Sequence, residues 1–329
     1  MATITSVGSG LWSAAGTWDA GVPADGDDVV IASGHIVTFD VDQSAWVTGL
    51  NGITVTGTLE FSRIAGTYYL FMKAATCITG AGTMHVGTAL NPIPFDAKHT
   101  ITGGNGWYIT GTSGLTLGVY AAEPQYKYVR LSNAALIGAT TLEVDTDLTG
   151  DIWASGDLIY IGRPKSNAGY DRVINTVTST TITVTVGISS ALDTYTTVVL
   201  IQRNVSFLEA GGTVNGIIRD FSAGNLVIAG GEFLGSLNTG AGGNLLRSCS
   251  YAVISGGAFY KAYQQFVSCS NTSISGGVFC NTNVTYFATS FNLSTISGGL
   301  FSGYYSAISG SGVTITGGEF ICGFILFSG

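Results

Sequence analysis

Apolar and polar positions alternate in short runs along most of this chain, and glycine closes the runs. The clearest unit is Ile-x-Gly-Gly-x-Phe. It occurs five times in the last third: "VIAGGEF" ends at Phe233, "VISGGAF" at Phe259, "SISGGVF" at Phe279, "TISGGLF" at Phe301 and "TITGGEF" at Phe320. The first glycines are Gly230, Gly256, Gly276, Gly298 and Gly317, so the steps are 26, 20, 22 and 19 residues. Steps of this irregular length predict the coils of a parallel β-helix, with the extra residues in loops. A leucine-rich repeat would carry LxxLxL, and a propeller blade would need about 40 residues.

Parity assigns the faces. Ile228, Ile254, Ile274, Ile296 and Ile315 each stand two places before the first glycine. Leu226, Ala252, Thr272, Ser294 and Val313, two places earlier still, share their face. The phenylalanine follows the first glycine by an odd step, which an unbroken strand would send to the opposite face. The Gly-Gly pair therefore reads as a corner that resets the register. Phe233, Phe259, Phe279, Phe301 and Phe320 then stack as an internal ladder; phenylalanines facing outward as a subunit contact are the rival reading. "GITVTGTLEFSR", "CITGAGTMHVG" and "HTITGGNGWYITGTSGLTLG" carry the same punctuation, so residues 52–120 are expected to form the first rungs.

A segment of longer alternation interrupts the pattern. "TSTTITVTV" has period 2 and reads as a hairpin arm. The expected fold is all-β: a single-stranded right-handed parallel β-helix with a small inserted antiparallel β-barrel. The expected divisions are residues 1–130, 131–205 for the barrel, and 206–329 for the C-terminal β-helix with its five repeats.

Composition narrows the function. There are 48 glycines but only 5 prolines, which excludes a collagen-like chain, and charged residues make up only 10%. Net charge is −8, with 12 Lys and Arg and no basic run, so nucleic acid is not expected as a partner. Although 46% of residues are hydrophobic, no apolar run approaches the roughly 18 residues of a membrane span. "MATITSVGSGLW" has neither a basic nor an apolar leader region, so no signal peptide is expected. The sequons at Asn204, Asn271, Asn283 and Asn292 are accordingly expected to be unused. The five cysteines, Cys77, Cys249, Cys269, Cys280 and Cys322, show no CxxC spacing. Cys249 and Cys269 both stand seven residues before a repeat's first glycine and should stack in adjacent rungs. A rung spacing of about 4.8 Å exceeds the roughly 3.8 Å Cβ separation of a disulfide, so thiols are expected.

Polysaccharide hydrolysis needs two carboxylates about 5 to 9.5 Å apart. From Ser222 onward the only acidic residues are Glu232 and Glu319, at the same repeat position four rungs apart. That separation is about 19 Å, so one subunit cannot pair them. Arg247 and Lys261 are the only bases there, too few for a lyase site. No catalytic residue is expected; if the chain is an enzyme, Asp27, Asp28 and Asp40 are the candidates. Asp27 and Asp28 follow Gly26 in a turn, where aspartate commonly caps its own backbone. His35, His85 and His99 are dispersed without HExxH spacing, and the "GGNG" and "GAGG" runs lack the helix that would make them phosphate cradles. No metal and no cofactor are expected. Tyr260, Tyr263, Tyr286, Tyr304 and Tyr305 follow the phenylalanine ladder; lateral subunit contact, sugar stacking and ordinary packing all remain open for them. The final rung, "GGEFICGFILFSG", has no polar cap, and another subunit or protein is expected to cover it.

The N-terminal run "LWSAAGTWDAGVPADGDDVVIASGHIVTFD", followed by "GITVTGTLEF", resembles a G8 domain. The resemblance rests on Trp12, Trp18, Gly21, Pro23, Gly26, Asp27, Val30, Ile31, Gly34, Val37, Ile53, Gly57, Leu59 and Phe61. The segment up to "RNV" (Arg203 to Val205) resembles the small barrel that often follows G8 modules. G8-type cell-surface hyaluronidases share this order, and similar openings occur in structural proteins of tailed bacteriophages. The resemblance implies a non-enzymatic virion protein: a head fibre, decoration protein or tail-associated fibre or spike. Such a protein would be homotrimeric, would meet other virion proteins and host polysaccharide, and would sit on the virion surface after assembly in the host cytoplasm. Two alternatives stand beside it: a carbohydrate-active enzyme or glycan-binding module, and a bacterial surface or filament-forming protein.

Overall fold

The computed structural model describes residues 1–162, 169–209, 215–235, 244–260, 264–280 and 286–328. At 209, 215, 286, 304–307 and 322–328 only the backbone is described. From Gly52 onward each coil visits three parallel faces in turn, and the two coils before it supply strands to the first two faces. The first face runs from Thr3–Thr5 through Asp28–Ile31, Gly52–Val55, Cys77–Thr79 and Tyr108–Thr110 to Asn215–Arg219, Asn244–Arg247, Gln264–Val267 and Tyr286–Thr289. The second is a 10-stranded sheet from Gly10–Leu11 to Thr314–Ile315. The third contains Gly66–Met72, Ala97–Gly103, Val205–Glu209, Glu232–Leu234, Ala258–Tyr260 and Val278–Cys280. Leu300–Ser309 and Glu319–Ser328 run round the corner from the third face to the first, which joins those two faces into one 17-stranded sheet. The parallel ladder starts at Thr3, well ahead of residue 52, because the G8-like residues themselves pair as coils.

The Gly-Gly corner has two separate causes. A Cβ on the first glycine would strike the preceding rung: at Gly276 it would lie 2.2 Å from the Ser255 carbonyl oxygen, at Gly298 2.3 Å from that of Ser275. The second glycine needs a left-handed backbone, with φ of +98° at both Gly277 and Gly299. Beyond the corner the phenylalanines turn inward. Phe207, Phe233, Phe259, Phe279, Phe301 and Phe320 stack with successive ring centroids 4.6 to 4.9 Å apart and planes within 12°. Ile228, Ile254, Ile274, Ile296 and Ile315 pair in register on the second face. Cys249 and Cys269 are buried free thiols on adjacent coils, and their mutual hydrogen bond, with burial, pushes the Cys249 thiol well up.

The inserted sheet leaves the coil after Thr116–Val119 and returns at Val205–Glu209. Its six antiparallel strands run in the order Tyr128–Arg130, Thr197–Leu200, Leu158–Gly162, Tyr170–Val177, Thr181–Val184, Thr141–Glu143. The two edges meet at an antiparallel bridge between Leu131 and Val144, backed by Ser132 N–H to Glu143 O at 3.0 Å and Asp145 N–H to Arg130 O at 2.9 Å. The sheet thus closes on itself around Leu142, Ile159, Ile161, Ile182, Val198 and Leu200, which leaves no edge strand to aggregate.

Candidate functional site at the barrel–helix junction

The residue between the second glycine and the phenylalanine points away from the phenyl ladder, because side chains alternate along a strand. In register up the third face these residues are Glu232, Ala258, Val278, Leu300 and Glu319. The barrel sits on this face. Its Tyr160 and Val199, with Ile201 of the returning chain, form one buried cluster with Ala258, Tyr260, Val278, Cys280 and Leu300. The apolar members of the series lie beneath the barrel, and a glutamate stands at each end of its footprint.

Glu232 is 4% exposed. Its Oε2 accepts from Ser206 Oγ at 3.0 Å and from the Arg203 backbone N–H at 3.4 Å. Burial pushes this carboxyl up to about 7, against the partial compensation of those bonds and of the Arg203 charge. The Arg203 guanidinium, itself buried, donates to Leu200 O at 2.6 Å and Gln202 O at 3.0 Å, and its Nε lies 3.6 Å from Glu123 Oε1. Glu123 also accepts from the Gly257 backbone N–H at 3.1 Å and pairs with Lys127 at 3.1 Å. Burial likewise raises Asp157, whose charge adds to the cost of ionising Glu232. This network fastens the point where the chain leaves the barrel and rejoins the coil.

At the other end Glu319 accepts from the Tyr128 hydroxyl at 2.7 Å and pairs with Arg130. Burial, followed by the hydrogen bond to Glu319 and its charge, pushes the Tyr128 hydroxyl up to about 12. Beside this pair opens a groove of about 470 Å³ lined by Tyr126, Tyr128, Arg130, Asp145, Thr146 and Glu319. Asp145 accepts from the Arg130 backbone N–H at 3.1 Å and the Thr146 hydroxyl at 2.9 Å, so both carboxylates in the groove already hold structural partners. The groove can offer hydrogen bonds and tyrosine edges to a sugar-sized ligand.

The aspartates singled out from sequence tie neighbouring segments together. Asp27 accepts from the backbone N–H groups of Ala2 at 2.8 Å and Ala24 at 3.1 Å. Asp28 accepts twice from Asn51 Nδ2, at 2.9 and 3.0 Å. Asp40 accepts from the Ser13 backbone N–H at 2.9 Å and hydroxyl at 2.6 Å. Tyr260 is 0% exposed, with its ring centroid 5.8 Å from that of Tyr160, so its contact is with this chain's own barrel rather than with a partner or a sugar. Tyr263 lies outside the described residues, and Tyr286, Tyr304 and Tyr305 are described in backbone only. His99 is buried against Tyr68 and Phe61, with Nε2 2.7 Å from Ser62 O, and burial lowers it to about 4. Among the described residues no group of three His, Cys, Asp or Glu is placed to hold a metal, and no helix is long and apolar enough to cross a membrane. Tyr128, Arg130, Glu123 and Arg203 escaped the sequence reading, since none sits in a repeat; their one signal is that Glu123 and Arg203 flank the interrupting segment.

Residues 17–121, less than half of the chain, match the G8 domain family. That match takes in the resemblance from Trp18 to Phe61. No curated protein matches the chain. Among solved structures, the tailspike gp61 of Pseudomonas phage phi297 is similar at a TM-score of 0.24 and 14% identity, over 78% of this chain and 42% of that one. The Gp54 tailspike of Acinetobacter baumannii bacteriophage AP22, solved in complex with A. baumannii capsular saccharide, is similar at a TM-score of 0.24 and 11% identity, over 79% and 41%. The chain spans about two fifths of the length of these tailspikes. The β-helix itself is established by the strand ladders described above, not by these likenesses.

Proposed function

We propose that this chain is a non-enzymatic structural module, a stiff shaft within a head fibre, decoration protein or tail-associated fibre or spike of a tailed bacteriophage. The observation that carries the proposal is the in-register series Glu232, Ala258, Val278, Leu300, Glu319. Its carboxylates hold the barrel, and its apolar members are covered by it, so the series is a clamp rather than a catalytic platform. Six stacked phenyl rings behind it resist bending and shear. On this reading the module works as a homotrimer alongside other virion proteins, at the virion surface, after assembly in the host cytoplasm. Genes for capsid and tail proteins beside its own, together with its recovery from purified particles by mass spectrometry, are the expected result. Carbohydrate-utilisation genes in that neighbourhood, or absence from particles, would overturn it. Light scattering on a size-exclusion column tests the trimer, and a monomer at micromolar concentration removes it.

The groove beside Glu319 favours one second reading, a glycan-binding module. Incubation with hyaluronan and with host capsule extract separates a carbohydrate-active enzyme from both. Release of reducing ends that Asp27→Ala, Asp28→Ala or Asp40→Ala abolishes, without loss of fold, would establish an enzyme.

A further inference from the structure

Two of the chain's 12 basic side chains stand in register on neighbouring coils. Arg219, at the end of Asn215–Arg219, pairs with Arg247, at the end of Asn244–Arg247, on the first face. Parallel neighbours are only about 4.8 Å apart, and like charges directly opposite one another repel. The other described arginines are all engaged: Arg63 with Pro92 O, Arg130 with Glu319, Arg172 with Val186 O and Gly187 O, and Arg203 with Leu200 O and Gln202 O. Among the described residues neither Arg219 nor Arg247 donates a side-chain hydrogen bond or joins an ion pair.

The Arg219 side chain is nevertheless held. The Arg219 guanidinium carbon lies 3.1 Å from the centroid of the Tyr108 ring, and its Nε is sealed from solvent without an acceptor. Arg247 lies close to the neighbouring coil at Gly216, where an added Cβ would come within 3.0 Å of the Arg247 Cβ. The titratable neighbours are Tyr108, Cys77 and Asp220. Asp220 touches Arg247 through its backbone N–H, which donates to Arg247 O at 3.0 Å, and its exposed carboxylate makes no ion pair with either arginine. Two half-buried arginines in register on one face, one of them held against a tyrosine ring and neither with an acceptor, can converge on a single anion.

We propose that Arg219 and Arg247 together form a binding site for a single oxyanion: a carboxylate, sulfate or phosphate group presented by a small ligand or by one unit of a chain. A polyphosphate backbone does not fit, since a pair of cations on a chain of net charge −8 leaves most of its charge unneutralised. The site stands independently of the structural reading above.

The test is titration of the full chain, labelled with nitrogen-15, with sodium sulfate and separately with sodium glucuronate at constant ionic strength. Saturable shifts of the Arg219 and Arg247 guanidinium N–H resonances are expected, with those of Arg63 and Arg172 unmoved. Arg247→Gln should weaken binding by about tenfold or more, the loss of one charge-assisted contact. Melting supplies a second readout. In anion-free buffer Arg247→Gln should melt at or above wild type, because the repulsion is relieved; sulfate should then raise wild type more than the variant, by mass action on the site. Equal response to both anions assigns a site indifferent to the carrier, and preference for glucuronate assigns a saccharide carrier; either supports the proposal. Absence of a saturable shift, a shift shared by Arg63 and Arg172, or equal stabilisation of variant and wild type would each overturn it.

Discussion

The Tyr128 hydroxyl donates to Glu319 Oε2 at 2.7 Å although 191 positions separate the two residues. Arg130, on the same short strand, binds the other carboxylate oxygen. A barrel edge is thereby tied to the fifth copy of the repeat, while the chain that leaves and rejoins the coil is tied near the first copy, at Glu232. The barrel is held at both ends of one face.

The strength of the Glu319 tie follows from its exposure. The Arg130 and Glu319 side chains keep 45% and 30% of their surface open to water. Such a pair contributes under about 1 kcal/mol, and the tyrosine hydrogen bond about 1 kcal/mol. Glu319→Gln and Tyr128→Phe are each expected to lower unfolding free energy by about 1 kcal/mol, with the double variant losing less than the sum. A urea denaturation cycle measures the coupling. Strict additivity would mean that the contact does not form in solution.

Two buried groups set opposing pH dependences. Glu232 is raised from 4.5 to about 7 in the folded chain, so between those values the unfolded chain releases a proton that the folded one keeps. Its contribution is full below pH 4.5 and is lost as pH rises through 7, on the order of 3 kcal/mol at most. Asp157, also raised, acts in the same sense. Burial lowers His99 from 6.5 to about 4, so its contribution is full above 6.5 and is lost as pH falls toward 4. From about pH 4.5 to 6.5 the Glu232 and His99 slopes oppose, and wild-type stability should vary little. Glu232→Gln keeps the shape but cannot ionise, so its stability should rise with pH across that window. Melting temperatures at half-unit pH steps check this, and parallel wild-type and variant curves would refute the burial of an ionisable Glu232.

The two corner glycines should fail differently. Gly276→Ala places a methyl 2.2 Å from the Ser255 carbonyl oxygen, a clash with backbone that cannot be relieved by a rotamer. Gly277→Ala meets its nearest atom at 3.0 Å and mainly suffers the left-handed φ of +98°, worth about 1 to 2 kcal/mol. Gly276→Ala is therefore expected to cost more than Gly277→Ala, by a margin visible in thermal melts. Equal losses would mean that the coils do not approach as closely as this.

The repeat made the β-helix legible. A corner that changes parity can be inferred from an odd spacing between Ile274 and Phe279, and the structure supplies its steric reason. Phe207 joins the ladder without the motif, because no Gly-Gly pair precedes it where the chain re-enters from the barrel. Thr3–Thr5 was similarly illegible as a coil, being three residues long and joined to its partner Asp28–Ile31 through only the two-residue strand Gly10–Leu11 and one short 3-10 turn. The junction was harder still. Glu232 and Glu319 were visible as a matched pair, but their partners Ser206, Arg203, Tyr128 and Arg130 lie in segments of different period. Only the folding of the barrel onto the third face brings them together. Tyr260 likewise reads as an exposed aromatic until that face is covered.

That covering makes a final prediction at Val278. The position carries glutamate in the first and fifth copies, so the strand geometry accepts the side chain; what differs is the surroundings. Val278 is fully buried in an apolar cluster with Tyr160, Val199, Ala258 and Leu300. Val278→Glu should therefore cost about 3 kcal/mol or more if the barrel stays docked, the penalty of a buried charge without a partner. Undocking relieves that penalty by exposing the carboxylate, at the expense of the apolar contact. The expected outcome is a β-helix of unchanged far-ultraviolet circular dichroism, new dye binding at the uncovered face, and faster proteolysis where the chain enters and leaves the barrel. Leu300→Val, which removes volume but adds no charge, should leave the barrel docked. If Val278→Glu behaves like Leu300→Val, the barrel does not cover this face in solution, and the clamp at Glu319 loses its meaning with it.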